Sequence, residues 1–213
     1  MDKRERLYGL YAITDPVLCP DSTLTTQVEQ ALTGGCRVIQ FRDKRPDPVA
    51  RKALAQQLLE ICHAYDACLL INDDLALAEE IGADGVHLGR DDPDPSTARN
   101  RLGEDAIIGV SCYNRLELAR DAAALGVDYL AFGRFFPSQT KPQAVQAEPE
   151  LLRRARAALD LPLVAIGGIT PENGAPLIAA GAHMLAVIQG VFGQPDIEDA
   201  SRRLSSLFAT DNR

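Results

Sequence analysis

Three polar side chains in the segment "QFRDK" carry chemistry that an apolar strand does not need. Gln40, Arg42 and Lys44 are spaced two residues apart, and successive side chains of a β-strand alternate between its faces. An amide, a guanidinium and an ammonium on one face are costly to bury unless an anion neutralises them. The segment therefore predicts an anion-binding strand end. The alternative is that both cations extend their charged ends into solvent, with Asp43 as a partner.

Two acidic segments, "INDD" and "HLGRDD", each end an apolar run and indicate a metal site. They contribute Asp73 and Asp92, which would lie on neighbouring loops if the two runs are adjacent strands. Such carboxylates favour a hard cation, and Mg²⁺ is typically held by one or two carboxylates together with substrate phosphates. The alternative assigns local roles: Asp73 or Asp74 would cap the following helix, and Asp92 would be a turn residue beside Pro93.

A polar loop adds hydroxyl groups and a further cation to these candidates. The segment "AFGRFFPSQTKPQA" leaves an apolar run and holds Ser138, Thr140 and Lys141 between two prolines. Two hydroxyls and an ammonium within four residues suit an anion, and they also suit an ordinary solvated loop. Both interpretations stay open from this composition alone.

Glycines follow the last two apolar runs, where backbone N–H groups could approach a phosphate. In "AIGGITPEN", Gly168 precedes a predicted helix that Thr170 caps and Pro171 begins. In "VIQGVFG", Ile188 and Gln189 precede a second glycine. Loops of this kind often bind phosphate in barrel proteins.

Eight short apolar runs must position these residues, and segments with helical periodicity separate them. Their patterns predict β-strands over 7–14, 37–43, 68–73, 84–89, 107–112, 128–133, 162–168 and 183–188. Several helices end at a glycine just before a strand, as in "EIGADGVHL". Strands alternating with helices imply a parallel sheet. We predict a (β/α)₈ TIM barrel as a single domain over 1–213, with a doubly wound open sheet as the alternative. In a barrel, the candidates lie together at the C-terminal ends of the strands.

The acidic composition narrows the classes of partner. The chain carries 30 Asp and Glu residues against 22 Lys and Arg, a formal net charge of −8. It has no basic surplus for nucleic acid or an anionic membrane, so an anion site must be a local cluster of positive groups. We expect no signal peptide and no membrane span. Five scattered cysteines without C-x-x-C spacing indicate reduced thiols, so we expect a cytoplasmic protein.

The histidines and Cys112 are weaker candidates for catalysis. His63 falls late in a predicted helix, and His183 begins a strand at the far end of the barrel, which favours structural roles. His87 lies inside "GVHLG", where a packed and hydrogen-bonded imidazole is the favoured interpretation and catalysis the alternative. Cys112 directly follows Ser111 and so points to the opposite face.

Six motifs occur in the order and spacing that thiamine phosphate synthases show. They are "QFRDK", "INDD", "GVHLGRDD", "GVSCYN", "FGRFFPSQTK" and "AIGGITPEN". The chain therefore resembles this family from "YAITD" to "VIQGVF". The resemblance implies a transferase that joins an aminopyrimidine methyl diphosphate to a thiazole phosphate, giving thiamine phosphate and pyrophosphate, with Mg²⁺ as cofactor. It also implies that diphosphate departs before the thiazole nitrogen attacks. A homo-oligomer stays open.

By the same resemblance, each candidate receives a role. Three cations would stabilise the departing diphosphate and count as catalytic: Arg42, Lys44 and Lys141. The pyrimidine diphosphate would contact Gln40, Arg42, Lys44, Asn72, Ser111 and Lys141. The thiazole phosphate would contact Ser138, Thr140, Gly168, Ile188 and Gln189. Mg²⁺ would be held by Asp73 and Asp92.

The chain departs from the family pattern at three positions, and two other functions remain as alternatives. Arg90 stands where glutamine is usual, Gln189 where serine is common, and Ser138 where threonine is common. One alternative is a thiazole tautomerase on the same fold. That group is associated with a histidine just after the fifth strand, where this chain has none. The other is a non-catalytic sensor of thiamine precursors.

Overall fold

Eight parallel strands close into a barrel in the computed structural model, which describes residues 3–137 and 145–209. The strands are β1 (Gly9–Ile13), β2 (Cys36–Phe41), β3 (Cys68–Asn72), β4 (Gly85–Leu88), β5 (Ile107–Tyr113), β6 (Tyr129–Gly133), β7 (Leu163–Ile166) and β8 (Met184–Val187). Each strand pairs with its neighbours along the chain, and β1 closes the barrel by pairing with β8. The predicted (β/α)₈ barrel is therefore confirmed, and the open-sheet alternative is wrong.

Helices connect the strands and cover the outside of the barrel. Within the described residues they are α1 (Lys3–Arg6), α2 (Asp21–Thr33), α3 (Pro48–Ala64), α4 (Leu75–Ile81), α5 (Pro95–Leu102), α6 (Leu116–Ala124), α7 (Pro149–Ala158), α8 (Ala175–Ala179), α9 (Gln189–Phe192) and α10 (Ile197–Ser206). Four of them begin after an aspartate whose carboxylate accepts from the first-turn N–H groups: Asp47, Asp74, Asp94 and Asp196. Across the described chain, none of these helices has the length and apolar character that crossing a membrane requires.

Alternation along each strand divides the apolar side chains between two cores. In β3, Leu69 and Ile71 pack outward against the helices, whereas Cys68 and Leu70 fill the barrel interior. In β2, Val38 belongs to the interior cluster, so Gln40, two residues further, continues the same inward face. On β2, as on β3, β4 and β5, the inward face therefore carries apolar residues or glycine low in the barrel and a polar residue near its C-terminal end.

The segments between the glycine-ended helices and the next strands connect neighbouring strands by hydrogen bonds. After each glycine, a polar side chain that precedes β4, β6 or β8 accepts from a backbone N–H near the start of the previous strand. The pairs are Asp84 with Leu69 at 2.8 Å, Asp128 with Ile108 at 2.8 Å, and His183 Nδ1 with Leu163 at 3.0 Å. These contacts satisfy donors at the N-terminal end of the barrel, and they give His183 the structural role that we expected.

The short helix α1 lies across that same N-terminal end. Arg6 binds Asp84 at 2.8 Å and Lys3 binds Asp128 at 3.0 Å, while Leu7 enters the interior core. This end of the barrel is thus occupied by a helix and its ion pairs. Polar groups at the opposite end remain available for a ligand.

Candidate functional site

A cavity of about 560 Å³ opens at the C-terminal ends of the strands. Each predicted site residue that the structure describes lines it, and together they are Gln40, Arg42, Lys44, Asn72, Asp73, Asp92, Ser111, Gly168, Ile188 and Gln189. The structure therefore brings together residues that the sequence separates by up to about 150 positions. The three other predicted residues, Ser138, Thr140 and Lys141, lie outside the described residues.

The end of β2 directs two cations toward the cavity. Lys44 Nζ lies 2.7 Å from Asp73 Oδ2, and Arg42 Nη1 lies 3.9 Å from Asp15 Oδ2. The alternative interpretation required Asp43 as their partner. Asp43 instead accepts hydrogen bonds from the backbone N–H and the guanidinium of Arg45. Neither cation is therefore neutralised by Asp43, and both line the cavity.

Asp73 and Asp92 follow β3 and β4, and their carboxyl groups lie close enough to interact with each other. Burial acts to raise the pKa of Asp73, but the hydrogen bond with Asp92 and the ion pair with Lys44 outweigh it, so the pKa lies below its usual value. Burial, then the hydrogen bond with Asp73, raises the pKa of Asp92. Each carboxyl group therefore changes the pKa of the other, Asp73 downward and Asp92 upward.

This pair of carboxylates fits a divalent cation. Two carboxylates at hydrogen-bonding distance repel each other unless a proton or a cation lies between them, and Mg²⁺ prefers such oxygen ligands. Groups of three or more His, Cys, Asp or Glu side chains in a metal-binding arrangement are absent from residues 3–137 and 145–209. A cation held by Asp73 and Asp92 would accordingly take its remaining ligands from substrate or water.

The alternative interpretation, in which these aspartates cap a helix or form a turn, is correct for Asp74 and Asp92 but not for Asp73. Asp74, not Asp73, caps α4, with its carboxylate accepting from Leu77 N at 2.9 Å. Asp73 itself has a left-handed backbone with φ +64°, which is uncommon outside glycine. Asp92 does take part in a turn, since its Oδ2 accepts from Gly89 N at 2.6 Å.

The glycine segment after β7 is correctly placed at the cavity, but the helix predicted after it is wrong. Thr170 and Pro171 enter a turn, and α8 begins only at Ala175. Asn173 explains the difference, because its side chain accepts from Thr170 N at 2.8 Å and donates to the Gly168 carbonyl at 3.0 Å. These two bonds hold the chain in a tight loop and keep the helix from starting at Pro171.

Gly168 is required at its position by geometry. Its φ is +63°, and a Cβ there would lie 2.3 Å from the carbonyl oxygen of Pro137. The loop after β6 is therefore packed directly on the backbone at the end of β7. Ile188 and Gln189 follow β8 on the neighbouring side, where Gly190 lies close to the Ile169 carbonyl.

Arg90, one of the departures from the family pattern, stacks on an aromatic ring at the cavity wall. Its guanidinium carbon lies 5.1 Å from the centroid of Tyr113, within cation–π range. Tyr113 reaches this position through an irregularity in the β5–β6 register after Ser111 and a left-handed φ of +55°. Tyr113 and Arg134 also line the cavity, and sequence reasoning missed both.

Below the cavity, hydrogen bonds join side chains across the barrel interior. His87 Nε2 lies 2.9 Å from Ser111 Oγ, and His87 Nδ1 lies 2.8 Å from the Tyr129 hydroxyl. The Tyr129 hydroxyl lies 2.9 Å from that of Tyr11, which in turn accepts from the Gln40 amide. His87 is thus packed and hydrogen-bonded, as we favoured. The two tyrosines were missed, although their inward positions follow from strand alternation.

Comparisons with known proteins agree with this geometry. The model of a family described as thiamine monophosphate synthase matches residues 10–191. A thiamine-phosphate synthase of Alcanivorax borkumensis is 51% identical over 209 residues, covering 97% of this chain and 96% of the relative. One of Nitrosococcus oceani is 52% identical over 204 residues, covering 96% and 94%. A solved thiamine phosphate pyrophosphorylase from Pyrococcus furiosus superposes with a TM-score of 0.89 at 33% identity, over 98% of both chains.

Proposed function

The chain belongs to the thiamine monophosphate synthase family, and we propose how the residues around its cavity carry out the reaction of that family. The enzyme is a transferase. In the proposed reaction, an aminopyrimidine methyl diphosphate and a thiazole phosphate give thiamine phosphate and pyrophosphate. The observation that carries the proposal is the meeting of two cations and a pair of carboxylates at one wall of the cavity.

The diphosphate group binds at the end of β2 in this proposal. Arg42 and Lys44 face the cavity, and their charges oppose the negative charge that grows on the diphosphate as it leaves. Lys141 joins them as a third cation. Gln40, Asn72 and Ser111 also line the cavity and contact the pyrimidine.

Mg²⁺ is the cofactor that we propose, held by Asp73 and Asp92. Support comes from the closeness of the two carboxyl groups, because a divalent cation held by both would relieve the repulsion between their negative charges. When bound there, Mg²⁺ supplies positive charge against the diphosphate oxygens. Lys44 pairs with Asp73 in the free protein, so its ammonium becomes available to the diphosphate when that carboxylate binds metal.

The thiazole phosphate binds on the opposite side of the cavity. Gly168 lacks a side chain and leaves its backbone accessible, and the chain at Ile188 and Gln189 lies on the neighbouring wall. Ser138 and Thr140 would add hydroxyl donors. Two anionic substrates account for cations on one wall and hydrogen-bond donors on the other, within a chain of net charge −8.

The reaction needs no protein nucleophile. The C–O bond to the diphosphate breaks and its electron pair leaves with the oxygen, while the amino-substituted pyrimidine delocalises the positive charge on the methylene carbon. The lone pair of the thiazole nitrogen then forms the new C–N bond. The protein's task is to hold both reactants in line and to stabilise the leaving group.

We also propose one domain over residues 1–213 acting in the cytoplasm. All five cysteines are free and buried, and a reducing compartment would keep them in that state.

The test is to mix the purified protein with Mg²⁺ and both substrates and to follow thiamine phosphate and pyrophosphate. Asp73→Asn should lower turnover by on the order of 100-fold and raise the Mg²⁺ concentration needed. Asp74→Asn is the matched control: this residue caps α4 and binds Arg51 at 2.6 Å, so its loss should cost stability but leave the Mg²⁺ requirement unchanged. Binding of both substrates without product would favour the sensor, and full activity of Asp73→Asn would remove Asp73 from the metal site.

A further inference from the structure

A continuous chain of hydrogen bonds crosses the barrel interior and joins two residues of the cavity. It runs through side chains of five different strands in the order Gln40, Tyr11, Tyr129, His87 and Ser111. Gln40 and Ser111, at its two ends, line the cavity together with Tyr11 and His87, whereas Tyr129 is fully buried behind them. The chain thus couples the β2 side of the cavity to the β5 side without passing through solvent.

The position of the Tyr129 hydroxyl is fixed by packing. The ring occupies the space beside Gly109, where a Cβ would lie only 1.8 Å from the ring carbon that bears the hydroxyl. The ring also stacks on His87, with centroids 5.6 Å apart and planes at 21°. Because the ring cannot shift freely, its hydroxyl stays between His87 and Tyr11.

The order of donors and acceptors along the chain has one self-consistent direction. The Gln40 amide nitrogen can only donate, so Tyr11 accepts from it and must turn its own proton toward Tyr129. Tyr129 then accepts from Tyr11 and donates to His87 Nδ1. A proton on His87 Nδ1, in the other tautomer or in the imidazolium, would reverse the next bonds: Tyr11 would then accept from both Tyr129 and Gln40, and its own proton would lose its acceptor in the chain.

We propose that Tyr129 is a positioning residue that holds His87 in the tautomer protonated at Nε2. His87 then donates from Nε2 to Ser111 Oγ, which leaves the hydroxyl proton of Ser111 directed into the cavity. Ser111 is thereby presented as a hydrogen-bond donor to a ligand atom with a lone pair, such as a ring nitrogen of the pyrimidine. This last consequence rests on the proposed function, whereas the tautomer does not.

Burial supports the assigned direction. It raises the pKa of both the Tyr11 and the Tyr129 hydroxyl, so each keeps the proton that the chain requires. A tyrosinate at either position could accept only, and the direction from Gln40 to Ser111 would be lost.

The first experiment measures the tautomer in the free protein, without any substrate. Histidine labelled with ¹⁵N gives separate long-range correlation patterns for the two tautomers, and the His87 signals are assigned by their loss in His87→Gln. His183 provides an internal reference, because its Nδ1 accepts from the Leu163 N–H. We expect His87 to show the same Nε2-protonated pattern. A pattern with the proton on Nδ1, or on both nitrogens, would overturn the proposal even if the enzyme proved fully active.

The second experiment asks whether Tyr129 acts through Ser111. Tyr129→Phe keeps the packed ring and removes only the donor, so His87 should show a mixture of tautomers, and kcat should fall about tenfold. Ser111→Ala should lose a similar factor, and the double variant should lose no more than Ser111→Ala alone. Tyr8→Phe, which removes a hydroxyl bound to the Phe208 carbonyl, is the control that should change neither quantity.

Two outcomes of the second experiment contradict the proposal. Losses that multiply in the double variant would mean that Tyr129 and Ser111 act independently. Wild-type histidine signals together with a wild-type rate in Tyr129→Phe would mean that the hydroxyl positions nothing. If the tautomer is as expected but no variant or wild-type protein makes product, the proposed function fails while the assignment of the hydrogen-bond chain stands.

Discussion

Replacing Gly109 by alanine tests the packing on which the buried hydrogen-bond chain depends. Gly109 lies in the middle of β5, and a glycine inside a strand often marks a close approach of another group. A Cβ at this position would lie 1.8, 2.1 and 2.4 Å from three atoms of the Tyr129 ring. The ring is fully buried, so it cannot turn out into solvent to make room.

The expected loss of stability follows from the displacement of the Tyr129 ring and the hydrogen bonds that this displacement breaks. To reach an ordinary contact of 3.4 Å it must retreat by about 1.6 Å, which breaks hydroxyl contacts of 2.9 Å to Tyr11 and 2.8 Å to His87. Overpacking costs roughly 1–3 kcal/mol, and two lost neutral hydrogen bonds add about 1–3 kcal/mol. We expect Gly109→Ala to lower the free energy of unfolding by about 2–6 kcal/mol and the melting temperature by roughly 4–24 °C.

The assay is thermal and denaturant unfolding of four proteins that form a double-mutant cycle. Tyr129→Leu removes the three ring atoms that the new methyl group would meet, at its own cost in stability. In that background, adding Gly109→Ala should change the free energy of unfolding by less than about 0.5 kcal/mol. A wild-type melting temperature for Gly109→Ala, or the same loss with leucine at position 129, would mean that the Tyr129 ring does not restrict the space beside Gly109.

Two further predictions concern buried carboxylates. Burial acts to raise the pKa of Asp43, but its hydrogen bonds with Arg45 lower the pKa below the ordinary value of about 3.9. The charged Asp43 therefore stabilises the folded protein fully above that pH, and this stabilisation is lost as the pH falls through the folded pKa. Melting temperatures between pH 6 and 3 should therefore show the advantage of wild type over Asp43→Asn shrinking as the pH falls; a constant difference would contradict this. Asp128→Asn weakens a half-buried pair with Arg99 and should cost about 1–3 kcal/mol by denaturant unfolding, whereas Asp160→Asn, at an exposed pair, should cost about 0–1 kcal/mol, and equal costs would contradict the assignment.

Local pattern was enough to predict the barrel and ten of the residues that line its cavity. Alternation places Gln40 on the inward face two residues after Val38, and this depends only on the strand period. The helix ends before β4 and β6 were predicted from their glycines alone, because glycine commonly follows the last residue of a helix. Because the C-terminal ends of parallel strands share one end of the barrel, predicting the strands also predicted which side chains would gather.

Features that depend on closure of the barrel could not be predicted in this way. Tyr11 and Tyr129 meet only because β1 and β6 face each other across the interior, at a separation of 118 residues. The stacking of Arg90 on Tyr113 requires the register irregularity in β5. The helix predicted at Pro171 failed for a shorter-range reason, because a single asparagine side chain holds the loop in another conformation.

Aspartates occupy both ends of the barrel, and their partners distinguish structural carboxylates from those available to a ligand. At the N-terminal end, Asp84 and Asp128 each accept from a backbone N–H and from two basic side chains, so their charge is fully compensated. At the C-terminal end, Asp73 and Asp92 face each other, with Lys44 as the cation beside Asp73. Among the residues that the structure describes, Lys44 alone forms an ion pair with these two carboxylates, which leaves a deficit of positive charge. That deficit, rather than the presence of aspartate, is the physical basis of the metal site that we propose.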